Sequence, residues 1–246
     1  MYKSKGEKNI RIQLVKDYFL SHKVASKNDL AQATHLSLAT ITNILKELQD
    51  IHYIERIDDC PSTGGRKAKR YTICAQYMLY GLISLQVIGQ QIRVGLRVVN
   101  LDYSIIFNEN LEYEIITKNQ LIEIIQDLQK RFQLIYMSIS IPAIVNDGHL
   151  TQCDIEGFEN WHLLKELKNK VHAKIIIEND VNTAMLGYVY SQSIDKDPIA
   201  FIYQPDNRYS GCSLYINKTI VYGSTHFAGE LGYLSLASLK EQEAIL

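Results

Sequence analysis

Apolar residues recur at helical spacing near the start of the chain and give way to strand-like runs further on. Ile10, Ile12, Leu14, Val15, Tyr18 and Phe19 predict a first helix ending near His22. Ser26 predicts the cap of a short second helix carrying Leu30, Ala31 and Ala33. After Thr34-His35-Leu36, Ser37 predicts the cap of a third helix, whose buried face is Ile41, Ile44, Leu45 and Leu48. Residues 53–57 and 70–73 read as two strands, and the loop of residues 58–65 between them holds Pro61, Gly64 and Gly65. From residue 80 the pattern changes. Strands are predicted at 82–87, 92–99 and 105–113, then an amphipathic helix marked by Leu121, Ile124, Ile125 and Leu128. A short apolar run at 136–141 ends at Pro142, as a buried parallel strand does. Helix at 161–171, strand at 174–177, helix at 181–190 and strands at 198–203 and 211–216 complete the reading.

Two domains follow, residues 1–76 and 77–246, and 46% hydrophobic content supplies a core for each. Charge divides at the same place. Residues 1–76 hold 13 Lys+Arg against 8 Asp+Glu, and the remainder 13 against 19. The formal net charge of −1 therefore hides a basic head on an acidic body, an asymmetry that points to nucleic acid as a partner of the head. No run of about 18 apolar residues predicts a membrane span, and the polar, lysine-rich start predicts no signal peptide. The four cysteines, Cys60, Cys74, Cys153 and Cys212, are scattered without a CxxC pair, so free thiols in the cytoplasm are expected, with no metal and no cofactor.

Two short helices joined by a tight turn fit a helix-turn-helix, and the two following strands add a wing. On that reading Ser37, Ala39, Thr40, Thr42 and Asn43 face the major groove of double-stranded DNA, and Lys46 lies near phosphate. The wing tip, Gly65-Arg66-Lys67 with Lys69 and Arg70 behind it, suits a narrow minor groove, because a Gly-Gly-Arg tip lets backbone and guanidinium enter. The blander alternatives are a three-helix bundle with a polar solvent face and a charge run that is merely solvated.

Short motifs spread from about residue 10 to 234 carry a family resemblance. In the head they are Leu30-Ala31, Leu36-Ser37-Leu38-Ala39-Thr40-Ile41 and Gly64-Gly65-Arg66. In the body they are Ile141-Pro142, Gly157-Phe158-Glu159-Asn160, Glu178-Asn179-Asp180-Val181-Asn182 and Ala228-Gly229-Glu230-Leu231-Gly232. In this order they resemble the ROK family of repressors, uncharacterised reading frames and sugar kinases, in its transcriptional-regulator branch with the xylose repressors. The resemblance implies an α/β fold: a winged helix-turn-helix followed by a mixed-sheet domain of the ribonuclease-H/actin type. It also implies a sugar or sugar-phosphate effector held by Asn160, Asn179, Asp180 and Glu230, with Asp180 as the proton-accepting base in kinase members. Residue chemistry agrees, since a ring of hydroxyls calls for several converging carboxylates and amides. The alternative leaves Asp180 an N-cap, Asn179 a turn residue and Glu230 a solvent-facing loop acid.

Departures from the family pattern argue against catalysis. The kinases place an Asp-x-Gly-Gly-Thr motif in the first hairpin, where this chain reads Gln86-Val87-Ile88-Gly89-Gln90. The second phosphate loop corresponds to Asn207-Arg208-Tyr209-Ser210-Gly211, with one glycine left. Tyr233 stands where members commonly have a zinc-binding histidine, and Ala143 stands where a glycine follows the proline. The family's body continues past the Glu230 motif, so an incomplete C-terminal half is expected. The function expected is a cytoplasmic, dimeric, sugar-responsive repressor of carbohydrate-utilisation genes that is not an enzyme. A body serving only as a dimerisation platform is the alternative, and an ATP-dependent sugar kinase a more distant one.

Overall fold

Ser26 closes a reciprocal cap at the start of the first short helix. Its hydroxyl accepts from the Asp29 amide at 3.3 Å, while the Asp29 carboxylate accepts from the Ser26 amide at 2.8 Å. The computed structural model describes residues 2–57, 69–192, 194–204 and 210–231, and the chain divides into two compact units. The first unit is Met1–Leu79 together with Val99–Ile106, and the second is Tyr80–Val98 together with Phe107–Leu246.

In the first unit α1 (Tyr2–His22) is followed by β1 (Val24–Ser26), α2 (Lys27–Thr34), α3 (Leu38–Asp50), β2 (Ile54–Ile57) and β3 (Arg70–Ile73). The first helix ends where predicted, but among its described apolar side chains only Val15 and Phe19 are fully buried. Ile10 and Leu14 are exposed, so the spacing of these two does not mark the core. Leu30 is buried on α2, and the buried face of α3 is Ile41, Ile44, Leu45 and Leu48, as the periodicity predicts. His35 is left-handed (φ 56°) and turns the chain from α2 to Ser37, whose hydroxyl accepts from the Thr40 amide at 3.2 Å to cap α3. Tyr53 is buried but lies just outside β2. The strand β1 was not anticipated. It pairs antiparallel with β3, which pairs antiparallel with β2, giving the order β1-β3-β2. The expected wing tip at Gly65, Arg66 and Lys67 lies outside the described residues; Lys69 and Arg70 are described and exposed. A turn from further along the chain completes this unit. There the Leu101 amide donates to the Ala75 carbonyl at 3.1 Å and the Leu101 side chain is buried.

The second unit is a mixed α/β structure. Its strands β4 (Leu79–Ile88), β5 (Gln91–Asn100), β6 (Ile105–Tyr113), β7 (Tyr136–Ile141) and β10 (Lys174–Asn179) form one sheet in the order β10-β7-β4-β5-β6. Both neighbours of β7 run parallel to it. The helix α4 (Lys118–Phe132) starts at a Thr117–Gln120 capping box and buries Leu121, Ile122, Ile125 and Leu128. Ile122, rather than Ile124, completes its inner face. Leu128 and Leu134 come so close to β4 that a Cβ on Gly81 would stand 2.6 Å from Leu134 Cδ1.

Beyond β7, the chain makes a hairpin that was not anticipated, β8 (Ala143–Asn146) and β9 (His149–Cys153), turned by Asp147 and Gly148 at positive φ. The helix expected over 161–171 shrinks to α5 (Leu163–Leu167), because Trp161 is taken into a backbone bridge with Leu150. After α6 (Asp180–Ser191) a separate sheet forms from β11 (Ile199–Tyr203), β12 (Gly211–Ile216) and the unpredicted β13 (Thr219–Ile220). Met185 and Val189 of α6 pack against Tyr215 and Ile220 of that sheet. Among the described residues no helix is long and apolar enough to cross a membrane.

Candidate functional sites

The solvent face of α3 follows from its buried face. At 100° per residue, Ala39, Asn43 and Lys46 stand opposite Ile41, Ile44, Leu45 and Leu48, and all three are exposed. Ser37 and Thr42 are exposed as well, and Thr40 is half-buried. The hydroxyls on this face are engaged within the protein. Ser37 and Thr40 share a hydrogen bond at 2.9 Å beside the cap. Thr42 Oγ1 donates to the Leu38 carbonyl at 2.7 Å and accepts from Lys27 Nζ at 3.1 Å. Lys27 is a cation on this face that the sequence reading missed, since it belongs to α2 and meets α3 only in the fold.

Asn179 and Asp180 stand at the carboxyl end of a parallel strand, where open α/β sheets place ligands. Asn179 ends β10 beside Ile141, the last residue of β7. Asn179 is the cap of α6. Its Oδ1 accepts from the Asn182 amide at 3.0 Å and its Nδ2 donates to the Ala143 carbonyl at 3.1 Å. The side chain thus takes the capping role that the blander reading had given to Asp180. Ala143 is buried at the start of β8. Asp180 opens the first turn of α6, with Oδ1 accepting from the Val181 amide at 2.9 Å.

Burial pushes the Asp180 carboxyl up to about 6, and the nearby Asp154 charge adds to the rise. Glu230 is also raised, by burial first and then by Asp154 and Asp180. These three acids therefore lie within electrostatic reach of one another although 76 residues separate the first from the last. Asp154 was not among the sequence candidates. Its place is set by the β8–β9 hairpin, where its amide donates to the Pro142 carbonyl at 2.9 Å. Beside it, the Cys153 thiol is pushed up to about 12, mainly by burial.

Four further hydrogen bonds assemble this end of the body. Glu178 Oε1 accepts from the Asn179 amide at 2.7 Å and from Asn182 Nδ2 at 3.1 Å, while its Oε2 accepts from the Tyr222 hydroxyl at 2.8 Å. Burial and the Glu178 bond push the Tyr222 hydroxyl up to about 12. Glu230 is placed by its neighbour: the Cys212 amide donates to the Gly229 carbonyl at 2.8 Å. Gly229 has φ 92°, and a Cβ there would stand 1.8 Å from the Cys212 carbonyl oxygen, so only glycine fits. Asn160 is not drawn into this group. It occupies an exposed turn with φ 50°, and among the described residues no hydrogen bond or ion pair ties it to the three acids. Its loop is anchored by Phe158, buried edge-on against Trp161.

Of the two positions expected to mark lost phosphate binding, Gln86 is exposed on β4, and residues 207–209 lie outside the described residues. Ser210 is buried with its hydroxyl donating to the Gln204 side chain, and Gly211 admits Val181 Cγ2 to 2.9 Å from where a Cβ would be. Tyr233 also lies outside the described residues.

Comparison with known proteins places this arrangement. The chain is 22% identical over 233 residues to the DNA-binding transcriptional dual regulator NagC of Escherichia coli K12, covering 88% of this chain and 55% of NagC. It thus spans about half the length of the curated relatives it matches. A solved ROK family transcriptional regulator, homologue of the E. coli MLC protein, superposes with a TM-score of 0.61 at 19% identity, over 92% of this chain and 60% of that one. A ROK family glucokinase from Streptomyces griseus, in complex with glucose and AMPPNP, superposes with a TM-score of 0.51 at 17% identity, over 64% of this chain and 51% of that one. These likenesses show the α/β fold, and the ROK family model matches residues 91–244, well over half of the sequence: the chain belongs to the ROK family.

Proposed function

We propose that this chain is a DNA-binding transcriptional regulator, a sugar-responsive repressor of carbohydrate-utilisation genes without kinase activity. The observation that carries the reading is the face of α3, where Ala39, Thr42, Asn43 and Lys46 are exposed together over a fully apolar inner face. With α2, α3 and the β1-β3-β2 sheet taken as a winged helix-turn-helix, α3 enters the major groove and Lys69 and Arg70 follow the phosphates. Two copies on a pseudo-palindrome put two α3 helices in successive grooves. The similarity to NagC and to the MLC homologue supports a regulator, and the basic head supports nucleic acid as its partner.

In the body, Asp154, Asp180 and Glu230 supply the acceptors that sugar hydroxyls require, with Asn179 fixing the helix that carries Asp180. A gel shift with DNA from upstream of its own gene, at moderate salt, tests the first half. Retardation should exceed that of random DNA by at least about a thousandfold in affinity, and equal binding to both would sink the reading. Thermal-shift screening over hexoses, N-acetylhexosamines and their phosphates tests the second half. One compound should raise the melting temperature of the wild type and leave Glu230→Ala unmoved.

A kinase is the second reading, favoured by Asp180, whose raised pKa suits a proton-accepting base. ATP consumption that depends on a hexose and disappears in Asp180→Asn would replace the proposal with that one.

A further inference from the structure

Of the polar side chains on the α3 face, Asn43 is the one whose amide is uncommitted. Ser37 and Thr40 share one hydrogen bond beside the helix cap, and at 100° per residue both lie well round the helix from the centre of the exposed face. Thr42 spends its single proton on the Leu38 carbonyl, and its oxygen accepts from Lys27. A threonine hydroxyl has one proton to give, so Thr42 has none left for an outside acceptor, and its methyl is the group that remains. Asn43 is exposed, stands near the middle of the face, and among the described residues makes no hydrogen bond through its side chain. One turn back on the same face is the Ala39 methyl, and to one side of it lie Thr42 and Leu38, which is 53% exposed at the first turn of the helix.

A carboxamide carries one acceptor and one donor edge in a plane. That matches the N6 donor and N7 acceptor of adenine in the major groove and fits no other base edge as a pair. Methyl groups beside it are the partners that the thymine methyl takes. Resting on the DNA-binding reading above, we propose that Asn43 is the base-reading side chain of the head and that it selects adenine at one position in each half-site. Ser37, Thr40 and Thr42 then hold the helix in shape, and Lys27 locks the Thr42 rotamer so that its methyl, and not its hydroxyl, faces the base pairs.

Selection from a randomised duplex library, with the full chain as wild type, Asn43→Ala and Thr42→Val, tests this. The wild type should enrich a motif with an invariant adenine in each half. Asn43→Ala should lose the preference at that one position, by about fivefold to a hundredfold, and keep the rest of the motif. Thr42→Val keeps the methyl and removes the hydroxyl, and should return the wild-type motif. An unchanged motif in Asn43→Ala, or a different base lost there, overturns the assignment while leaving DNA binding intact. A Thr42→Val protein that selects a new base overturns the methyl-facing geometry. A wild type that enriches nothing over the starting library defeats the DNA-binding reading itself, an outcome distinct from the others.

Discussion

On α3 the polar side chains stand in water with their hydroxyls tied back to the helix, whereas in the body Asp180 and Glu230 are drawn partly out of water and towards each other's charge. A face of the first kind costs little to keep: remove a side chain and the fold hardly changes. A site of the second kind opposes folding, because ionised carboxylates lose hydration and repel Asp154 and one another. The body tolerates this because the backbone there is over-determined, by Asn179 capping, by the Glu178 bonds and by Gly229 pressed on Cys212. On the function proposed above, an exposed polar face suits a long, deformable partner such as a duplex, and half-buried acids suit a small polyol.

Four measurements would break or sharpen that contrast. The largest effect is expected for Gly229→Ala. The added methyl would collide with the Cys212 carbonyl from a backbone angle of φ 92°, and destabilisation of about 3 kcal/mol or more should appear in urea unfolding. A change below about 1 kcal/mol would mean that the Glu230 loop is not held as described.

Next comes Asp180→Asn, with the opposite sign. The folded pKa of about 6 lies above the ordinary aspartate value of 3.8, so the folded state binds the proton more tightly. Between pH 3.8 and 6 stability falls as pH rises, and the penalty is fully present above that window. Removing the charge should therefore raise stability at pH 7 by on the order of 2 kcal/mol and flatten the profile between about pH 4 and 6. A destabilised variant with the wild-type profile would contradict the enclosed-charge account. Ser26→Ala removes the reciprocal cap of α2 and should cost about 1 kcal/mol. Smallest is Asn43→Ala, expected to stay within about 0.5 kcal/mol of wild type. A loss well above that would make the α3 face part of the folding machinery and end the comparison.

The short helices of the head could be read from the chain because their signals are local. Ser26 and Ser37 precede apolar positions at helical spacing, and the structure puts a cap at both. The three residues of β1 carry no such signal. They become a strand only through β3, some 46 residues away, after Lys23 turns left-handed (φ 57°). The β8–β9 hairpin does leave a trace in the sequence, since Asp147-Gly148 is the dipeptide that a tight two-residue turn favours. The hairpin brings Leu150 to Trp161, which keeps that residue out of α5, and it sets the place of Asp154. Asp180 and Glu230 were visible as motif acids, but what joins them was not: Val181 seated on Gly211, and Cys212 bonded to Gly229. Asn160 looked equivalent to them in sequence and is set apart by an exposed turn.

The turn between β5 and β6 has a consequence for anyone wishing to dissect the molecule genetically. Val99–Ile106 belongs to the same compact unit as Met1–Leu79, and Leu101 is buried there with its amide on Ala75. The chain passes between the units three times, so a single stop codon cannot isolate the first one whole. A clone ending near residue 76 would leave Ala75 without its donor and the Leu101 seat open to solvent. A fragment meant to carry α2 and α3 alone would need those eight residues grafted back by a linker.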